Sequence, residues 1–259
     1  MRVFLALALA LLPGWASAHE FWIDAPQWQV APGSTLNASL RNGEAFKGIE
    51  LAYFESRIAR FELVQEGRRV PVTGRMGDRP ALSVPVSGPG LIVAAYESVP
   101  QTLTYSEWPK FARFAAHKDF SDIAARHDAR GLPRAGFTER YTRHAKALFA
   151  AGDGAGADSA LGLETEFVAL SNPYTDDGPV RVQLLYQGAP RADAQVEVFT
   201  RAPDGNVAIT TTRTDAQGRA DIPVTPGHAY LLDAVVLRPG RGDIAWETLW
   251  AAMTFAIPD

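Results

Sequence analysis

Short runs of alternating apolar and polar residues, cut every few positions by Gly or Pro, constrain this chain more than any other feature. "STLNASLRNG", "GIELAYF", "ARFELVQEG", "RVPVTG", "PALSVPV" and "GLIVAAYES" fill the span up to about Tyr105. Each reads as a strand or a strand plus turn, because successive side chains of a strand point to opposite faces. The pattern returns from Glu164 in "ETEFVALS", "PVRVQLLYQG", "AQVEVFTRA", "AITTTRTD", "GRADIPV", "AYLLDAVVLRP" and "ETLWAAMTFAIP". Asp204-Gly205 is a hairpin turn signal, and Asp215 to Gly218 is a longer one. Strands this short and this close together predict a sandwich of the immunoglobulin-like or transthyretin-like kind.

Between these β spans the pattern changes. Residues 108–151 are rich in Ala, Arg and Lys, and Phe111, Phe114 and Ala115 fall at helical spacing. Tyr141, Ala145 and Leu148 do the same, with Gly152 placed as a stop, so two helices separated by a Gly-Pro loop near Gly131 to Gly136 are expected. "GDGAGADSALG", residues 152 to 162, has the composition of a linker. The expected organisation is a signal peptide (1–18), an N-terminal β domain (19–105), a helical segment (106–151), a linker (152–163) and a C-terminal immunoglobulin-like β-sandwich (164–259). The fold class is therefore mainly β, two sandwich parts with a small helical insertion between them.

Arg2, the apolar block Val3 to Leu12 and the small residues Ala16-Ser17-Ala18 have the order of a secretory signal peptide. The block is too short for a permanent transmembrane helix, which needs about 20 residues. A periplasmic or secreted product, cut after Ala18 and not spanning a membrane, is expected. The 259 residues contain no cysteine, which excludes a disulfide scaffold, a thiolate metal site and a cysteine enzyme. A net charge of −4 and the lack of a basic run argue against a nucleic-acid partner.

Cleavage after Ala18 would place His19 first. Its α-amino nitrogen and ring Nδ1 could then close a chelate ring on one divalent ion, and nitrogen donors of this kind suit Cu(II), Ni(II) and Zn(II). Phe21 and Trp22 would hold the terminus against the protein body. Two nitrogens make a poor selective site, so His117, His127 and His144 are the candidates to complete it. His228 is a further histidine with no partner by spacing. Neither HExxH, GxSxG, GxxxxGK nor a strand-borne GxGxxG occurs, and the Asp-rich "TDDG" and "TDAQG" sit where turns want Asp. Trp246 and Trp250 would share a face of either regular structure.

"AHEFWI", "LRNGEAFKG", "GDRPAL", "ERYTRHAKALF", "GLETEFVALSNPY", "VQLLYQGAP", "TDAQGRADIPV" and "WETLWAAMTF" occur in this order along nearly the whole mature chain. Together they resemble a bacterial periplasmic family built on domain of unknown function number 4198, which includes nickel/cobalt-uptake accessory proteins. The resemblance implies a periplasmic β-sandwich protein that handles a divalent transition metal (Ni, Co or Cu), with His19 as the ligand carried over and a membrane metal transporter as partner. A histidine-rich tract and a membrane anchor are missing from this chain, which weakens transfer of the uptake role. Two other readings remain open: an envelope adhesion, carbohydrate-binding or assembly module, and a histidine-brace copper oxidase.

Overall fold

The computed structural model describes residues 19–259, so the expected signal segment lies outside the described residues. The fold is mainly β, arranged as three sheets, with two short helices. A ten-stranded central sheet runs in the order 207–213, 195–201, 229–239, 244–256, 137–151, 90–98, 58–65, 68–71, and two further strands, 29–30 and 101–105, pair with 137–151. Strands from both expected β spans thus hydrogen-bond into one sheet. They meet where 137–151 pairs in parallel with 244–256, from Thr138 opposite Ile244 to Ala147 opposite Thr254.

Period-two alternation sends the two faces of this sheet into separate cores. Ala145, Ala147 and Phe149 join Trp22, Ile23, Leu36 and Leu40 of the N-terminal sheet, which comprises 20–24, 35–44, 47–51 and 82–85. Leu148, Ala251 and Met253 face Phe167, Val182 and Leu184 of the C-terminal sheet, which comprises 165–169, 180–186, 189–190 and 219–222. The central sheet serves both sandwiches and is covered on both sides. A strand covered on both sides reads as a continuous apolar run rather than an alternating one.

That explains the correction at residues 137–151. The second expected helix is a 15-residue strand with its last eight residues, His144 to Ala151, all buried. Its Ala-rich sequence favours helix by intrinsic propensity, but that preference amounts to tenths of a kcal/mol per residue, and partners on both sides of the strand outweigh it. The helices are α1 (Trp108–His117) and α2 (Ile123–Ala129). α1 has Pro109 in its first turn and buries Phe111, Phe114 and Ala115, the face expected from the sequence. Both helices pack on a third core containing Trp246, Trp250, Val235 and Leu237. Segment 152–163 has no helix or strand, as its composition predicts, yet it is pinned. Asp158 there accepts from buried Lys146 Nζ at 2.7 Å and from the Ala169 amide at 2.9 Å.

Candidate functional site

The strand Glu20–Asp24, which directly follows His19, is buried throughout. Phe21 stacks on Tyr96 with ring centroids 4.7 Å apart, and Trp22 meets Phe46 edge-on at 5.6 Å. His19 itself is exposed, and its Nε2 lies 3.5 Å from Glu44 Oε1. Register places this acid beside it, because Glu20 pairs with Gly43.

His19 lines a cavity of about 420 Å³ together with Phe21, Tyr96, Tyr105, Phe114, Tyr141 and Trp250. The cavity floor follows from the period of the strand 137–151. Residues 139, 141 and 143 share a face with 145, 147 and 149. Where that face is covered by the N-terminal sheet it carries Ala and Phe. Where it opens onto the cavity it carries Glu139, Tyr141 and Arg143. Trp250 is the parallel-register partner of Arg143, and the guanidinium lies 3.9 Å from the indole ring centroid.

Three permanent cations line this cavity, Arg57, Lys110 and Arg143, and none forms an ion pair among the described residues. Arg143 as a residue is half-buried, but its Nη1 is enclosed and meets no acceptor. Burial pushes its pKa below the ordinary guanidinium value, against the pull of Asp233 and other acids. Glu139, the one acid in the lining, accepts hydrogen bonds from Tyr105 Oη at 2.7 Å and from Thr248 Oγ1. Burial raises its pKa, and those two donors oppose the rise.

Behind Trp250 lies a second charged group. Lys118 Nζ, 4.9 Å from the same indole ring, donates to Glu197, to Asp233 at 2.9 Å and to Glu20 at 3.4 Å. Burial works to lower the Lys118 pKa, but the carboxylates, Asp233 first, raise it. Burial pushes Glu20 up to about 7 despite Lys118. This cluster ties the first strand to the end of α1 and to the central sheet. It is a ligand for an ammonium already supplied by the chain.

The other expected metal ligands lie elsewhere. His127 is enclosed by aromatic rings. Its Nδ1 accepts from Trp246 Nε1 at 3.0 Å and its Nε2–H donates to the Pro133 carbonyl at 3.1 Å, so both nitrogens are engaged. His144 points to the opposite face of its strand from Arg143, and its Nδ1–H donates to the Trp250 carbonyl at 3.2 Å. Burial lowers its pKa to about 4, and it stays neutral. His117, mostly exposed at the end of α1, binds Glu197 at 2.7 Å, and that hydrogen bond raises its pKa. His228 turns its Nδ1 onto the Pro226 carbonyl. None of the four lines the cavity that His19 lines. Among the described residues no group of three or more His, Asp or Glu side chains is arranged to hold a metal ion. Sequence reasoning missed Arg143, Glu139, Lys110 and Arg57. A period-two reading of "TERYTRHAKALF" would have placed 139, 141 and 143 on one face, but the helical reading hid it.

Three of the solved structures that the chain is similar to share low identity with it. The tetra-tandem repeat from the extending region of a large adhesion protein is 13% identical with a TM-score of 0.24, over 91% of this chain and 49% of that one. The chain thus spans about half the length of that structure. A Salmonella alpha-2-macroglobulin mutant is 14% identical with a TM-score of 0.24, over 95% of this chain and 15% of that one. The D0-D1 domain of Intimin is 16% identical with a TM-score of 0.21, over 92% and 100% respectively. No curated protein matches the chain. Residues 16–238 match the family described as Domain of unknown function (DUF4198), and over that span the chain belongs to this family.

Proposed function

We propose that this is an exported binding protein that captures a divalent transition metal ion (Ni, Co or Cu) as cargo through His19 and hands it to a membrane transporter. The observation that carries the reading is the placement of residue 19. A buried strand holds it at a cavity wall, and its Nε2 faces Glu44 at 3.5 Å. A carboxylate on one imidazole nitrogen fixes the ring and leaves the other, here Nδ1, to bind a metal. Cleavage after Ala18 would add an α-amino nitrogen on the same residue, with an ordinary pKa of about 7.7–8.0. A divalent ion then displaces the proton of that amine, so binding strengthens as pH rises through the amine range.

Two protein nitrogens leave most of the coordination sphere to solvent or to a second ligand. That suits capture and release rather than permanent residence. The histidine-brace oxidase reading needs a second histidine near His19, and the four others line no part of its cavity.

The test compares Ni(II) and Cu(II) binding by the chain starting at His19 with binding by a chain carrying one extra Ala before it. The extension keeps the imidazole and moves the amine away. The expected loss exceeds the roughly 10–100-fold that outer-shell changes cost. Glu44→Gln is expected to weaken binding within that range of about 10–100-fold. Equal affinity for the two N-termini would discard the chelate.

A further inference from the structure

The cavity carries more positive charge than its own walls neutralise. Two cations lie near the Trp250 ring, Lys118 at 4.9 Å and Arg143 at 3.9 Å from its centroid. Lys118 is matched by three carboxylates. Among the described residues Arg143 is matched by none within ion-pair distance, and its Nη1 is closed off from water with no acceptor. An enclosed donor without an acceptor costs free energy until something supplies one. Glu139 shares the lining, but Tyr105 and Thr248 already occupy its two oxygens. Arg57 and Lys110 add two more charges on the same walls that have no ion pair among the described residues.

Aromatic rings make up much of the remaining lining, beside the polar Asn42, Ser98, Gln101 and Thr102. Phe21 stacks on Tyr96, and Phe114 stacks on Trp250 at 5.6 Å. At about 420 Å³ the cavity has the size of a small-molecule site, which usually runs from about 300 to 1,000 Å³. A guanidinium carries planar, forked donors, the geometry that takes a carboxylate through two parallel hydrogen bonds, and Arg143 holds its guanidinium carbon 3.9 Å from the indole ring centroid at the cavity wall. Apolar rings around it favour a ligand with a flat carbon body over a small, strongly hydrated anion.

We propose that this cavity binds a small organic carboxylate with a flat or alicyclic carbon body, its carboxylate on Arg143 and its body between the aromatic walls. His19 lines the same cavity, so the measurement is made on metal-free protein and neither result decides the other.

The experiment is calorimetric titration of the chain starting at His19 with benzoate and with cyclohexanecarboxylate, with acetate and inorganic phosphate as comparisons. Saturable one-site binding of both probes is expected, with acetate and phosphate at least about tenfold weaker. Arg143→Met is expected to lose about tenfold or more in affinity, the scale of a lost charge-assisted hydrogen bond. Arg143 sits in the central sheet, so circular dichroism must first show that the variant is folded. Lys110→Met, on the half-buried surface of α1, gives an independent arm with an expected loss of roughly two- to fivefold. No binding of either probe, equal binding of acetate or phosphate, or full affinity in Lys110→Met together with a folded Arg143→Met would overturn the proposal.

Discussion

A histidine's role is set by what its two nitrogens meet, and that is invisible in its spacing. His127 and His144 were candidates because each is a histidine in a segment that could approach the N-terminus. His127 spends both nitrogens inside an aromatic core. His144 is buried, bonded once through Nδ1, and held neutral with a pKa of about 4. This has a pH consequence whose sign follows from linkage. The unfolded chain binds a proton at His144 near pH 6.5, whereas the folded chain does so only near 4. Stability from this residue is therefore complete above about pH 6.5 and falls as pH drops towards 4. His144→Gln keeps a donor for the Trp250 carbonyl and removes the titration. Urea unfolding should show the wild type losing on the order of 2–3 kcal/mol more than the variant across that window. Parallel stability curves for the two proteins would mean that His144 is not buried as described. The burial of Phe21 and Trp22 beside His19, by contrast, was legible, because two large apolar side chains must find a core.

At the scale of elements, the strand 137–151 decides how the molecule is built. Its sequence supports two periods at once: Tyr141, Ala145 and Leu148 for a helix, residues 139 to 149 in steps of two for a strand. Local preference cannot choose between them, and burial on both faces erases the alternation that would have marked the strand. The two readings differ at Ala147. On a helix with the 141/145/148 stripe inward it would sit off that stripe, whereas in the strand it is fully enclosed against the N-terminal sheet. Ala147→Leu should therefore destabilise by about 1–3 kcal/mol through overpacking, read as a lower denaturant midpoint with unchanged slope. A neutral result would contradict the strand's placement. α1 was recovered correctly because one of its faces meets solvent, and a one-sided helix keeps its period in the sequence.

For the whole molecule, the shared central sheet makes the two sandwiches one cooperative structure. Strand 244–256 pairs with 137–151 along one edge and with 229–239 along the other. A fragment of residues 164–259 would expose the first of those edges, together with the faces of Phe199, Leu231 and Ala252 that meet the N-terminal core. We expect that fragment to aggregate or to show no cooperative unfolding by circular dichroism, and a sigmoidal transition in the isolated fragment would refute this. By itself, the sequence determined the β-rich class, most strand positions, the turns, α1 and the burial of Phe21 and Trp22. These depend on hydrophobic period and turn chemistry within a few residues. Tertiary structure alone decided that 137–151 is a strand, that His127 and His144 are interior groups, and that Arg57, Lys110 and Arg143 line one cavity without an ion pair among the described residues. Those outcomes depend on partners distant in the chain, Arg143 on Trp250 and His127 on Trp246 among them. Burial and charge balance are properties of the assembled neighbourhood, and no local pattern encodes them.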